Sequence, residues 1–140
     1  MRPQKQLHRH RPDQGEWGDC FRTAVACLLD LDAVEVPHVF DNGAGEEGFA
    51  VMDDWLAERG YVLIAVAYSG DVPLADVFAA QQHYNPGIPF LLSGRSSNNV
   101  NHVIVCCDGG VVCDPSQDES GIVGPPTTGL WWIEYLGRKL

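Results

Sequence analysis

The sequence has few cationic residues and no long apolar run. Lys and Arg together number 9 against 19 Asp and Glu, which gives a formal net charge of -10. A surface of that sign repels phosphate backbones and anionic lipid headgroups, so we expect neither nucleic acid nor a membrane as a partner. The longest apolar run, residues 61–68, is too short to span a bilayer.

Cysteines are also few and irregularly spaced. The 5 cysteines form an odd set without the regular spacing of a secreted disulfide framework, so we expect reduced thiols and a cytoplasmic protein. There is no C-x-x-C pair, and the adjacent Cys106 and Cys107 would point to opposite faces of a strand. These features argue against a zinc site, and we expect neither a metal nor a cofactor.

The N-terminus is basic but is not followed by an apolar stretch. It therefore has the pattern of neither a secretory signal nor a membrane anchor, and we expect residues 1–12 to be a mobile tail. With 140 residues, of which 45% are hydrophobic, the whole chain, residues 1–140, is expected to form one domain.

Helical and strand patterns divide the chain roughly into a helical first part and a strand-rich second part. Helices are predicted over residues 19–30, 49–60 and 73–82, and strands over residues 61–68, 87–93, 102–107, 111–114 and 131–136. This order predicts an α+β domain in which an N-terminal helix packs on a mostly antiparallel sheet.

A thiol stands at the start of the first predicted helix. Cys20 follows a glycine-containing loop and directly precedes an apolar helical pattern, with Asp19 as a suitable N-cap. A helix start carries partial positive charge and unpaired N–H groups, which favour a thiolate and can hold an oxyanion. Cys20 is therefore a candidate nucleophile.

The remaining groups needed for thiol catalysis occur in a matching order along the chain. His102, at the start of a predicted strand, is the candidate base, and Asp114, across a predicted hairpin, would orient its imidazole. Gln14 and the Cys20 backbone N–H are the candidate oxyanion donors. The triad requires an odd-numbered turn or a bulge in the hairpin, because a plain two-residue turn at Gly109 and Gly110 would point Asp114 away from His102.

The loop before Cys20 supplies candidate substrate contacts. Trp17 could form one wall of a cleft, and Gly18, with Gly15, could let a substrate backbone approach closely. A tight turn with a half-buried tryptophan is an equally good explanation of the same residues. Asn101, next to the candidate base, is the third candidate substrate-binding residue.

The motif set is similar to that of the papain-like cysteine peptidase superfamily. Gln14 six residues before an Asp-Cys pair at a helix start, His102 at a strand start, and Asp114-Pro115 after a hairpin resemble most closely the bacteriocin-processing double-glycine peptidases and their stand-alone relatives in bacteria and phages. The resemblance implies a papain-like fold and assigns Gln14 to the oxyanion hole, Cys20 as nucleophile, His102 as base and Asp114 as third member of the triad.

Two functions from different classes are compatible with these patterns. The first is a cysteine hydrolase or acyl transferase that attacks an amide, peptide or isopeptide bond through a thioester. The acidic residues between 41 and 60 favour a cationic substrate or partner, although a solvated acidic helix face that keeps the protein in solution explains them more simply. The second is an acidic, non-catalytic binding or inhibitor protein of phage type that uses a papain-like scaffold to contact a basic partner. We predict the enzyme.

Overall fold

One antiparallel five-stranded sheet organises the chain, with α-helices on both of its faces. The computed structural model describes all residues from Met1 to Leu140. The strands are β1 (Tyr61–Ser69), β2 (Phe90–Arg95), β3 (Asn101–Cys107), β4 (Gly110–Cys113) and β5 (Leu130–Arg138), and the α-helices are α1 (Cys20–Leu29), α2 (Glu46–Ala57) and α3 (Leu74–Tyr84). In space the strands follow the order β1-β5-β2-β3-β4, and every neighbouring pair is antiparallel.

The predicted α+β class is confirmed, and so is every predicted helix and strand, with shifted ends. The largest shift is in α2, which starts at Glu46 rather than at residue 49 and ends at Ala57 rather than at Gly60. Two acidic residues in its first turn, Glu46 and Glu47, interact favourably with the positive end of the helix and extend it toward the N-terminus. None of the helices has both the length and the apolar character needed to cross a bilayer.

Two apolar cores cover the two faces of the sheet. Helices α1 and α2 contribute Val25, Met52 and Leu56 to the first core, which also contains Leu91. Helix α3 contributes to the second core, which contains Leu92 from the opposite face of β2 and is completed by Val77, Phe90, Ile104, Cys106, Trp131 and Ile133. The alternation along β2 thus divides neighbouring leucines between the two cores.

The N-terminal segment 1–12, which we expected to be a mobile tail, makes hydrogen bonds to the rest of the domain. The Arg2 N–H donates to the Cys27 carbonyl at 3.0 Å, and the Gln6 N–H donates to the Pro115 carbonyl at 2.7 Å. The His8 N–H donates to Asp19 Oδ1 at 2.8 Å. These bonds could not be predicted from local patterns, because the partners are backbone carbonyls and one carboxylate that lie far along the chain or across a turn.

Candidate active site

Helix α1 presents Cys20 as its first residue, as predicted. Asp19 is the N-cap residue by position, but its carboxylate makes no capping hydrogen bond. It instead accepts from the His8 N–H at 2.8 Å and from Arg22 Nε at 2.9 Å. The N–H groups at the start of the helix therefore receive no cap from Asp19, and the Cys20 N–H is one of those that an α-helix cannot bond internally.

The hairpin between β3 and β4 brings His102 and Asp114 together through a bulge. The turn has two residues, Asp108 and Gly109, both with positive φ (54° and 89°), and it pairs Cys107 with Gly110. A two-residue turn would direct Asp114 away, but Val105 pairs with Cys113 while Cys106 pairs with Val111.

Val112 is therefore an extra residue in β4, and it shifts the alternation that follows it. Cys113 packs in the first core, and Asp114, the next residue, meets His102. Of the two arrangements that the sequence allowed, an odd-numbered turn or a bulge, the bulge is the one observed.

The Asp114 carboxylate is fixed from three sides. Its Oδ1 lies 2.7 Å from His102 Nε2 and accepts from the Ser116 N–H at 3.0 Å, while its Oδ2 accepts from the Gly121 N–H at 2.9 Å. Burial disfavours the charged form, but these hydrogen bonds outweigh burial and hold the pKa of Asp114 below its usual range. Asp114 therefore stays ionised and fixes the orientation of the imidazole.

The His102 ring lies between Asp114 and Cys20. Burial opposes protonation of the ring, but the hydrogen bond to Asp114 and the interaction with the Cys20 side chain raise the pKa of His102 to about 9. Because Nε2 is engaged with Asp114, Nδ1 is the ring nitrogen left for the thiol. Cys20, His102 and Asp114 thus form one chain of interacting side chains.

A cleft of about 1270 Å³ opens in front of these residues. Both Cys20 and His102 line it, and so do the three predicted substrate-binding residues Trp17, Gly18 and Asn101. Asn101 is held in place by Thr127, whose hydroxyl lies 3.1 Å from Asn101 Nδ2 and whose N–H donates to Asn101 Oδ1 at 3.1 Å. Asn101 therefore ties the loop before β5 to the rim of the cleft.

Internal packing explains Gly18 at least as well as substrate approach does. A Cβ at Gly18 would lie 3.0 Å from the Cβ of His10, so a side chain there would require His10 to shift by a few tenths of an ångström. The Trp17 indole packs edge-on against the His10 ring at 5.6 Å, and its backbone carbonyl lies 2.9 Å from His38 Nε2. Trp17 is thus a half-buried anchor that also lines the cleft.

Gln14 is not brought together with the other predicted catalytic residues. It ends a short 3-10 helix, Pro12–Gln14, which Gly15 closes with a φ of 73°, and it is exposed. A bridge between Arg11 and Glu16 closes this turn, and although Arg11 lines the cleft, Gln14 does not. The six-residue spacing to Cys20 assumed a loop running straight to the helix, and the turn at residues 11–16 breaks that assumption.

A different glutamine, Gln6, occupies the cleft. Its side chain lines the cavity and is 9% exposed, its Nε2 donates to the His8 carbonyl at 2.5 Å, and its Oε1 is buried without a hydrogen-bond partner. Gln6 lies 14 residues before Cys20 in a segment expected to be mobile. A local spacing rule could not find it, since it is positioned by its backbone bond to Pro115.

Two acidic residues of the cleft are absent from the residues predicted for the site. Glu134 is the only charged residue in the apolar middle of β5, and Asp53, on α2, faces it. Burial and the Asp53 charge raise the pKa of Glu134 to about 7. A single carboxylate in an apolar strand is the pattern that could have indicated it.

Metal-binding side chains do not cluster elsewhere in the chain. No group of three or more His, Cys, Asp or Glu residues is arranged to hold a metal ion.

No protein-family model matches the sequence, and neither curated proteins nor solved structures give a significant match.

Proposed function

We propose that this protein is a papain-like cysteine hydrolase or acyl transferase that acts on an amide, peptide or isopeptide bond. The proposal rests on one observation: the side chains of Cys20, His102 and Asp114 interact in series at the edge of a large cleft. His102 lies 2.7 Å from Asp114 through Nε2 and interacts with Cys20 at its other side. A thiol at a helix start, a buried base and a carboxylate that orients the base are the components of nucleophilic thiol catalysis.

The first half of the proposed reaction forms a thioester. His102 holds the proton of Cys20, and the thiolate attacks the carbonyl carbon, so that an S–C bond forms while the carbonyl electrons move to oxygen. The C–N bond then breaks, and His102 gives the proton to the leaving amine. Asp114 keeps the imidazole oriented through both transfers.

The second half releases the acyl group. Water or an acceptor amine gives a proton to His102 and attacks the thioester carbon, the C–S bond breaks, and the Cys20 thiolate returns. Atoms and charge balance without a metal or redox cofactor.

Gln6 replaces Gln14 as the proposed side-chain donor to the oxyanion. Its Nε2 carries two protons, of which one is bonded to the His8 carbonyl, and Gln6 lines the same cleft as Cys20. The Cys20 N–H supplies the other donor. We expect Gln6→Ala to slow acylation by about 100-fold, the effect typical of losing one oxyanion donor, whereas Gln14→Ala is the matched control at an exposed glutamine. Equal rates for these two variants would remove Gln6 from the proposed mechanism.

The proposal is tested by trapping the acyl enzyme. The native protein and Cys20→Ala are incubated with an activated aryl acetate, and released phenol and intact mass are followed. We expect one acetyl group on Cys20 and a stoichiometric burst of phenol, both lost in Cys20→Ala. If Cys20 gains no acetyl group and reacts with iodoacetamide no faster than an unstructured peptide thiol, the enzyme proposal fails in favour of a binding protein.

The proposed compartment is the cytoplasm. All 5 cysteines are free thiols, and the proposed nucleophile needs a reducing environment to remain one.

A further inference from the structure

We infer that the cleft selects substrates with a lysine or arginine side chain near the scissile bond, and that Glu134 and Asp53 bind this cation. The inference rests on the proposed function, because it assigns a specificity site within the same cleft. Both carboxylates line the cavity that contains Cys20 and His102.

Glu134 has an unusual position for a charged group. It lies in the middle of β5, paired with Ala65 on one side and Leu91 on the other, and is only half-buried toward the cleft. No hydrogen-bond donor or cation of the protein neutralises it, and the one charge that acts on it is the like charge of Asp53. Glu134 and Asp53 thus place two acidic groups in the cleft with no cation of the protein acting on Glu134, which leaves this part of the cleft able to bind one.

The arginines that line the cleft are already engaged at its N-terminal wall. Arg11 forms an ion pair with Glu16, and Arg9 Nε donates to Gln117 Oε1 at 3.1 Å. No cationic residue of the protein contributes to the environment of Glu134. A cation bound at Glu134 would therefore come from outside the chain.

The walls around the carboxylates match an alkyl chain that ends in a cation. Trp132 and Glu134 alternate along β5 with buried Ile133 between them, so both face the cleft, and Leu63 and Ala65 of β1 line it beside them. Long cationic side chains pack their methylene stems on apolar surface while the charged head meets acidic groups. An inorganic cation would not use these apolar walls.

Packed residues connect the acidic pair to the start of α1. Phe21, the residue after Cys20, packs against Phe49 with ring centroids 5.6 Å apart. Asp53 is one helical turn beyond Phe49, so their Cβ atoms are about 6 Å apart. The acidic pair and the nucleophile thus lie on neighbouring parts of one cleft.

A second group in the cleft independently indicates a peptide ligand. Gln6 Oε1 is a buried acceptor without a partner, on a side chain that is 9% exposed and lines the cleft. Buried acceptors normally have a donor, and a substrate backbone N–H would supply one once the side chain turns Oε1 toward the cleft. The cleft thus offers both an acceptor for a peptide backbone and carboxylates for a basic side chain.

The test uses paired peptidyl acyloxymethyl ketones, in which the Cys20 thiolate displaces a carboxylate and forms an S–C bond. Within each pair, lysine is exchanged for norleucine, which keeps the alkyl stem and lacks the charge, at the first or second residue before the ketone. We expect the lysine probe to label Cys20 at least 10-fold faster than the norleucine probe at one of these positions. In Glu134→Gln and Asp53→Asn the ratio should fall toward 1.

The controls separate this inference from the proposed function. Asp54→Asn removes the same charge from the next residue of α2, which does not line the cleft, and should retain the lysine preference. Each rate is divided by the iodoacetamide rate of the same variant. A lysine-to-norleucine ratio near 1 in a protein whose Cys20 forms the acyl enzyme overturns the inference alone, and a preference that survives Glu134→Gln overturns the assignment of Glu134. If Cys20 reacts with neither the ketone probes nor iodoacetamide faster than a peptide thiol does, the proposed function itself is contradicted.

Discussion

Two half-buried thiols, Cys20 and Cys107, have similar exposure and opposite surroundings. Cys20 begins α1 and interacts with an imidazole that Asp114 holds in place. Cys107 ends β3 beside Asp108, and partial burial and that carboxylate raise the pKa of Cys107. Exposure therefore does not decide thiol chemistry, because one sulfur faces a potential cation and the other faces an anion.

Removing the imidazole should abolish the difference between these thiols. We expect His102→Ala to lower the rate of Cys20 alkylation at pH 7 by about 100-fold, toward that of Cys107, because the sulfur loses the group that accepts its proton. Peptide mapping by mass spectrometry after timed iodoacetamide exposure measures both thiols in one sample. A Cys20 rate that His102→Ala leaves unaltered would contradict the proposed role of His102.

Removing the charge that orients the imidazole should have a smaller effect. We expect Asp114→Asn to slow Cys20 alkylation by about tenfold and to lower the free energy of unfolding by about 1–3 kcal/mol, because the Ser116 and Gly121 amides lose a charged acceptor. Urea unfolding measures the second effect. Full retention of both properties would show that Asp114 does not position His102.

We expect the ion pair of His102 and Asp114 to stabilise the fold only within a window of pH. The pKa of Asp114 is lowered from 3.8, so its contribution is present above about pH 4 and is lost as pH falls. The pKa of His102 is raised from 6.5 to about 9, so its contribution is complete below pH 6.5 and is lost as pH rises through 9. The stability difference between the native protein and Asp114→Asn should therefore be largest between about pH 4 and 6.5, and a difference that does not vary with pH would contradict the ion pair.

The smallest effect is expected for Glu134, through the pH dependence of the free energy of unfolding. Since the pKa of Glu134 is raised from 4.5 to about 7, its charge destabilises the fold increasingly as pH rises from 4.5 through 7. We expect Glu134→Gln to raise the free energy of unfolding by about 1–3 kcal/mol at pH 8 and to leave it unaltered below pH 4.5. Asp54→Asn is the matched control on α2. A loss of stability in Glu134→Gln at pH 8 would mean that the carboxylate has a partner within the fold.

Local patterns predicted the elements and the positions of three candidate catalytic residues. Cys20 was found because a glycine-containing loop and an apolar helical period meet at one residue, and strand alternation required a bulge or an odd turn to join His102 to Asp114. Trp131 is buried and Trp132 faces the cleft, because neighbouring residues of a strand point to opposite faces of the sheet.

Long-range packing determines what the sequence could not predict. The turn at residues 11–16 directs Gln14 to solvent, and the bond from the Gln6 N–H to the Pro115 carbonyl places another glutamine in the cleft. Neither result follows from spacing to Cys20, because both depend on backbone partners outside the local window. The choice between a bulge and an odd turn was likewise open, since Val112 carries no special residue type to mark a bulge.

The most direct test of the account is the alkylation rate of Cys20 relative to Cys107 in one native sample between pH 6 and 10. We expect Cys20 to react about 100-fold faster than Cys107 at pH 7. The ratio of the two alkylation rates should decrease above pH 9, as His102 loses its proton and the Cys107 thiolate forms. Equal rates, rising in parallel over the whole range, would contradict activation of Cys20 by His102.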